Sequence, residues 1–378
     1  MKIPFNKPAI FGDSYKEIAA SIESGNHSGR GPYTKKCQKW FRDNNPNISG
    51  VFLSTSCTDA LEAAAILLDL KEGDEVIVPS YTFVTTALSF FMHGATIRFC
   101  DIRKDTLNIN ENLLESHISK KTKAIVLVHY AGIACEMDVI MNIANKYNLF
   151  VIEDNAHGLF GKYKGRNLGS IGNLSTHSFH ETKNITCGEG GALFVRDKEL
   201  IQRSEIIFEK GTNRSQFING QVDKYSWVDK GSSYILSDIL ASLLYVQLHN
   251  SLEIQSKRQI LWNNYYKSLY KWADKKNIQL PFVPSYCEQT YHMFYMILPN
   301  NKIRNDFIEH LRVENITATF HYLPLDSSKM GVKIKQEDQQ DCPVSQSVSD
   351  CLVRLPLYFD LSTKMQNKII ESVLSFKI

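Results

Sequence analysis

From about residue 50 the chain alternates short continuous apolar runs with segments whose apolar positions recur every three to four residues. VFLSTS reads as a strand, TDALEAAAILLDL as a helix, and KEGDEVIVPSYTF as a turn, a strand and a loop ending near Pro79. ATIRFCDI and KAIVLVHY are further buried strands, with the helical stretch NINENLLESHI between them. CEMDVIMNIANKYN then makes a helix, and LFVIEDNAHG a strand that ends in a polar loop.

Strands of unbroken β-branched and aliphatic character, separated by helices, belong to a mostly parallel sheet covered on both faces. The fold class is α/β. In such sheets functional groups gather at the carboxyl ends of the strands, which directs attention to STSCT, PSYTF, HYAG and EDNAH.

A long helical run, LASLLYVQLHNSLEIQSKRQILWNNYYKSLYKWADKK, is followed by a change of texture. HMFYMILP, IRNDFIEHLRVENI and TATFHYLPL read as strand, helix and strand of a compact α+β unit, and KIKQEDQQDCPVSQS as an exposed loop leading into a helix. The expected division is a large α/β domain over residues 1–250 and a smaller C-terminal α+β domain over residues 251–378. A length of 378 residues suits two such units better than a single core.

Composition removes several classes of function. With 43 basic against 40 acidic residues the formal charge is +3, which gives neither a nucleic-acid footprint nor a membrane-surface helix. The start MKIPFNKPAIFGDSY lacks a signal-peptide apolar core, and no segment approaches the roughly 20 apolar residues of a membrane span. A soluble, cytoplasmic protein is expected. Eight cysteines are scattered without a CxxC pair, so reduced thiols are expected rather than a metal site or a disulfide framework.

Three stretches carry candidate chemistry. STSCTDALEAA presents Ser56, Cys57 and Thr58 where a polar turn opens into a helix, which suits a phosphate and equally an ordinary N-cap. VIEDNAHG places Asp154 and His157 at the end of an apolar strand, as partners for a ring or as a turn cap and an interior histidine. In SFHETKNITCGEGG, Lys183 follows Ser178 by five residues and precedes a glycine-rich turn; it is a nucleophilic amine or one more solvated lysine.

Read together, a phosphate-binding helix start, an acid for a pyridinium nitrogen and a Schiff-base lysine are what a protein supplies to pyridoxal 5'-phosphate. Phe83 in PSYTF offers an aromatic face to stack on the cofactor ring, or is a core phenylalanine.

PSYTF, HYAG, VIEDNAHG, SFHETKN and GEGGALFV, in this order and spacing, resemble the DegT/DnrJ/EryC1/StrS family of sugar-nucleotide aminotransferases. The resemblance runs from PFNKP to RLPLY, essentially the whole chain. EKGTNRSQF, GQVDKYSW, GSSY and FHYLPL are further similar to the branch that forms dTDP-4-amino-4,6-dideoxygalactose.

The resemblance implies fold type I, with a seven-stranded large domain, a small domain, and a homodimer whose active sites are shared. It implies that Lys183 binds the cofactor covalently and shuttles the proton, and that Asp154 keeps the ring nitrogen protonated. His157 would lie near the ring hydroxyl and Phe83 on the ring. The amides around Cys57 and Thr58, with Ser56 and the Ser178 hydroxyl, would hold the phosphate.

The implied reaction moves an amino group from L-glutamate to C4 of a dTDP-linked 4-oxo-6-deoxy sugar, toward a bacterial surface polysaccharide; the alternatives are an aminotransferase for a 3-oxo or UDP-linked sugar, and a non-catalytic sugar-nucleotide-binding relative. Lys210 and Arg214 are candidates for the diphosphate or a solvated charge pair; His321 lines the sugar pocket or is a buried histidine. Two departures stand out: Cys57 occupies a position where many relatives carry glycine, and Ser233 aligns with a partner-subunit asparagine that contacts phosphate.

Overall fold

The computed structural model describes residues 2–377. Seven strands form the main sheet: β1 (Gly50–Ser54), β2 (Glu75–Pro79), β3 (Thr96–Cys100), β4 (Thr122–Val128), β5 (Phe150–Asp154), β6 (Leu174–Ser178) and β7 (Gly191–Val195). Their order is β1-β7-β6-β5-β4-β2-β3. β2 pairs in parallel with β3 and β4, β4 with β5, and β5 with β6. β7 is antiparallel to both of its neighbours, β1 and β6. Six strands therefore run one way and β7 alone runs the other.

That polarity decides where chemistry can collect. The last residues of β1, β5 and β6 and the first residue of β7 share one edge of the sheet, so loops from distant parts of the sequence converge there. The continuous apolar runs have the expected cause. Val76 and Val78 face a core with Ile97, Phe99, Val126 and Ile152. Ile77 faces the opposite core with Ile125, Leu127 and Val151. Alternate residues thus bury on opposite sides, each large aliphatic contributing about 1.5–3 kcal/mol.

The C-terminal half builds a separate cluster around the helix Ser251–Lys275. Trp262, Tyr265 and Leu269 of that helix pack with Phe294, Met296, Phe307, Leu311, Val353 and Leu355. Phe294–Ile297 pairs antiparallel with Leu352–Leu355.

Three elements differ from the pattern-based reading. TATFHYLPL forms no strand; it makes a single bridge, Thr319 to Arg354, before Tyr322 takes a left-handed φ of 38° and turns the chain out of extended geometry. The long helical run is two helices, Asp238–His249 and Ser251–Lys275, broken at Asn250. NINENLLESHI shortens to a 3₁₀ turn, Glu111–Leu113, and the single helical turn Leu114–His117. All eight cysteines are unpaired thiols, and five of them are buried.

Candidate active site

At the shared sheet edge lies a cavity of about 670 Å³, lined by Ser56, Cys57, Thr58, Phe83, Asp154, His157, Ser178, Lys183 and His321. The sheet and the C-terminal segments around His292, His321 and Arg354 enclose it jointly.

Ser56 N-caps the helix Cys57–Leu67, its Oγ accepting from the Asp59 amide at 3.1 Å. The N-cap reading is observed, and it leaves the other open. The cap satisfies one amide, while Cys57 and Thr58, as the first residues of the helix, have amides that no carbonyl of the helix can reach. The turn rests directly on Gly191: a Cβ there would sit 2.4 Å from the Ser56 carbonyl carbon and 2.5 Å from the Cys57 nitrogen. Burial pushes the Cys57 thiol up, so it stays protonated.

Asp154 ends β5 and is buried. Oδ2 accepts from the Thr86 hydroxyl at 2.7 Å and Oδ1 from the Ala156 amide at 3.2 Å. Burial raises its pKa despite these donors. Its neighbour Glu153 points to the other side of the strand and is a fully buried structural acceptor.

His157 is buried and held neutral, its pKa lowered first by burial and then by the nearby Lys183. Its ring stacks on His292 with centroids 4.4 Å apart. Lys183 follows β6 and reaches into the same cavity, where burial lowers its amine to about 8. An amine so placed is partly unprotonated near neutral pH and can act as nucleophile and base.

Phe83 sits at the rim, 54% exposed, with its ring 6.2 Å from that of Tyr322. His321 is buried, its Nδ1 bonded to the Tyr130 hydroxyl at 2.7 Å. Lys210 and Arg214 do not line the cavity: Lys210 is exposed 3.9 Å from Glu209, and Arg214 opens the short helix Arg214–Ile218 on the surface. Ser233 lies outside it too, bridged to Glu209.

Sequence reasoning missed Arg354, His292, Tyr322 and Thr86, all parts of this site. Arg354 enters from the Leu352–Leu355 strand and lines the cavity, its Nε buried without a hydrogen-bond partner. Tyr322 approaches His157 Nε2 at 3.4 Å. The signals were faint: Arg354 is one charge in RLPLY, and His292 one histidine before an apolar run.

The residues fit pyridoxal phosphate. Asp154 is a buried carboxylate without a cation partner, and His157 Nδ1 and Thr176 Oγ1 are buried without any hydrogen-bond partner. Thr176 stands opposite Asp154 in the β5–β6 register. A protonated ring nitrogen, a ring hydroxyl and a phosphate would meet the needs of these groups and of the helix start.

The model of the DegT/DnrJ/EryC1/StrS aminotransferase family matches residues 9–374. The spore coat polysaccharide biosynthesis protein SpsC of Bacillus subtilis is 31% identical, over 98% of this chain and 96% of that protein. GDP-perosamine synthase of Escherichia coli O157:H7 is 30% identical, over 99% of this chain and 98% of that protein. Among solved structures, the PLP form of the sugar aminotransferase Spr1654 of Streptococcus pneumoniae superposes with a TM-score of 0.89. Its identity is 26%, covering 99% of this chain and 98% of that one.

Proposed function

The chain belongs to the DegT/DnrJ/EryC1/StrS aminotransferase family, and on that premise we propose that it aminates C4 of dTDP-4-oxo-6-deoxy-D-glucose with L-glutamate as donor. The products are dTDP-4-amino-4,6-dideoxy-D-galactose, destined for a surface polysaccharide, and 2-oxoglutarate. The observation that carries amino transfer is the Lys183 amine, lowered to about 8 and sharing one cavity with Asp154, His157 and the Cys57 helix start. The long motifs EKGTNRSQF and FHYLPL support the sugar.

When bound, pyridoxal phosphate supplies an electron sink that acidifies the donor's α C–H bond. Asp154 would hold the proton on the ring nitrogen, and the Thr86 hydroxyl favours the charged form of Asp154. The amides of Cys57 and Thr58, with Ser56 and Ser178, would hold the phosphate. His157 would face the ring hydroxyl, and Phe83 at the rim would cover the ring. Nζ of Lys183 would take the α-proton of glutamate and pass it to the cofactor, and in the return half-reaction would carry a proton back from the cofactor to C4 of the sugar.

Arg354, a cation with an unpartnered buried Nε, receives a glutamate carboxylate. His321 lines the sugar pocket. Lys210 and Arg214 lie outside the cavity of one chain, so their part in holding the diphosphate requires a second subunit, in a homodimer with shared active sites. In this reading the cleft separates a large domain, residues 1–250, from a small one, residues 251–378, and the enzyme works in the cytoplasm. Among the described residues no helix is long and apolar enough to cross a membrane.

GDP-perosamine synthase, matching over nearly all of both chains, favours a second reading in which the nucleotide is GDP. One experiment separates these. Purified protein is offered glutamate with the dTDP-linked 4-oxo sugar, its 3-oxo isomer and a GDP-linked 4-oxo-6-deoxy sugar, and products are identified by NMR. Amination of the GDP sugar alone selects the second reading; amination of the 3-oxo sugar alone defeats both. Loss of turnover in Lys183→Ala checks the lysine, and wild-type turnover in that variant removes its assignment.

A further inference from the structure

Arg258 is buried in the helix Ser251–Lys275, and burial, unrelieved by any carboxylate, lowers its pKa to about 9. It is still a cation near neutral pH. Interring an arginine without a counter-ion costs stability unless its donors are well used. Here they are used on two consecutive backbone carbonyls: Nε donates to Tyr291 O at 3.0 Å and Nη2 to His292 O.

The segment so held, Thr290–Met293, touches both loops that carry the candidate catalytic groups. The Thr290 hydroxyl donates to His157 O at 2.7 Å, and the His292 ring stacks on the His157 ring at 4.4 Å. Asn184, next to Lys183 in the chain, donates through Nδ2 to Thr290 O at 2.8 Å and to Gln255 Oε1 at 3.1 Å. Its Oδ1 then faces His292 Nδ1 at 2.9 Å, and as a pure acceptor it requires that nitrogen to carry the proton. Backbone, ring and tautomer are all set through one four-residue bracket.

Gln255, Arg258 and Trp262 lie on one face of the helix at i, i+3 and i+7. Gln255 holds Asn184, Arg258 holds the carbonyls on either side of the His292 amide, and the Trp262 indole N–H donates to Met293 O at 3.1 Å. Of the three, Arg258 alone makes two bonds to the bracket at the residue whose ring meets His157.

We propose that Arg258 is a positioning residue for the cofactor site, fixing the Thr290–Met293 bracket and through it His157 and the Asn184–Lys183 loop. This rests on the reading that His157 faces the cofactor ring. Lysine would keep the charge but lose the planar fork that spans two carbonyls.

The test compares Arg258→Lys with Trp262→Phe, which removes a neighbouring bond to the bracket past His292. Pyridoxal phosphate affinity is measured by fluorescence titration, and the melting temperature of cofactor-free protein is measured alongside. Arg258→Lys is expected to weaken cofactor binding about tenfold, with a melting-temperature loss no larger than that of Trp262→Phe, which changes affinity less than about twofold.

The effect of Arg258→Lys should shrink in a His157→Ala background, since coupled residues are not additive, with only the part carried by the Asn184–Lys183 loop remaining. Equal affinity losses in the two helix variants, or an undiminished effect in the His157→Ala background, would overturn the proposal. A wild-type chain that binds no pyridoxal phosphate would overturn the cofactor reading as well, and so is told apart from a failure of Arg258 alone.

Discussion

The Thr86 hydroxyl donates to Asp154 Oδ2 at 2.7 Å, and since it has one proton, its 2.9 Å contact with the Thr82 hydroxyl has Thr82 as donor. The Thr82–Thr86–Asp154 chain favours a charged carboxylate where burial disfavours one. Thr86→Val keeps the shape and removes the donor. Hydrogen bonds to charged groups contribute about 1.5–3 kcal/mol, so cofactor affinity should fall about ten- to a hundredfold, whereas Thr86→Ser should retain it. Affinity unchanged in the valine variant would show that Asp154 needs no such support.

Lys183 carries a pH signature in the cofactor-free protein. Its amine is lowered from 10.5 to about 8 by burial, so between those values the unfolded chain binds more protons than the folded one. Stability from this group therefore rises with pH from about 8 to about 10.5, and below 8 the folded state carries the full penalty of a buried charge. Melting temperatures of wild type minus Lys183→Met should climb across that window. A flat or falling difference would mean that the lysine is solvated.

How much was legible follows from the range of each signal. β2, β4 and β5 announced themselves because a strand buried on both faces is a continuous apolar run. Asp154, His157 and Lys183 were legible because each lies in a compact motif at a strand end. Arg354 was not, since its significance arises only when the Leu352–Leu355 strand is folded against the sheet edge, more than 150 residues away from Lys183. TATFHYLPL misled because its β-branched and aromatic composition suits a strand, while Tyr322 turns at a positive φ. Lys210 and Arg214 drew attention as charges in a specific motif, and charge alone says nothing of which surface it faces.

Glu153 predicts a purely structural loss. Fully buried, it accepts from His129 Nε2 at 2.9 Å and from the amides of Gly169, Ile171 and Gly172 at 2.8, 2.8 and 2.6 Å. Burial works to raise its pKa, and His129 with the Gly172 and Gly169 amides holds it low. Two donors meet each oxygen, so in Glu153→Gln the new NH₂ must face two donors in either orientation. A cost of about 2–5 kcal/mol is expected, a large share of the stability of an ordinary domain. Chemical denaturation measures it; a loss below about 1 kcal/mol would contradict the network.

In the proposed reaction Arg354 is expected to separate the two substrates. Its guanidinium lies in the cavity with Lys183, donates to Phe320 O at 3.2 Å and leaves Nε unpartnered. Burial lowers its pKa while the Tyr130, Tyr322 and Tyr81 hydroxyls raise it, and no aspartate or glutamate contributes. A carboxylate arriving with the amino donor would supply the missing anion, in the two-pronged geometry that lysine cannot reproduce. The nucleotide sugar brings no carboxylate to it. Arg354→Lys should therefore raise KM for glutamate by about ten- to a hundredfold and leave KM for the sugar within about twofold. Steady-state kinetics with each substrate varied in turn gives both values. An equal rise in the two would place Arg354 in the shape of the cavity rather than in recognition of the donor.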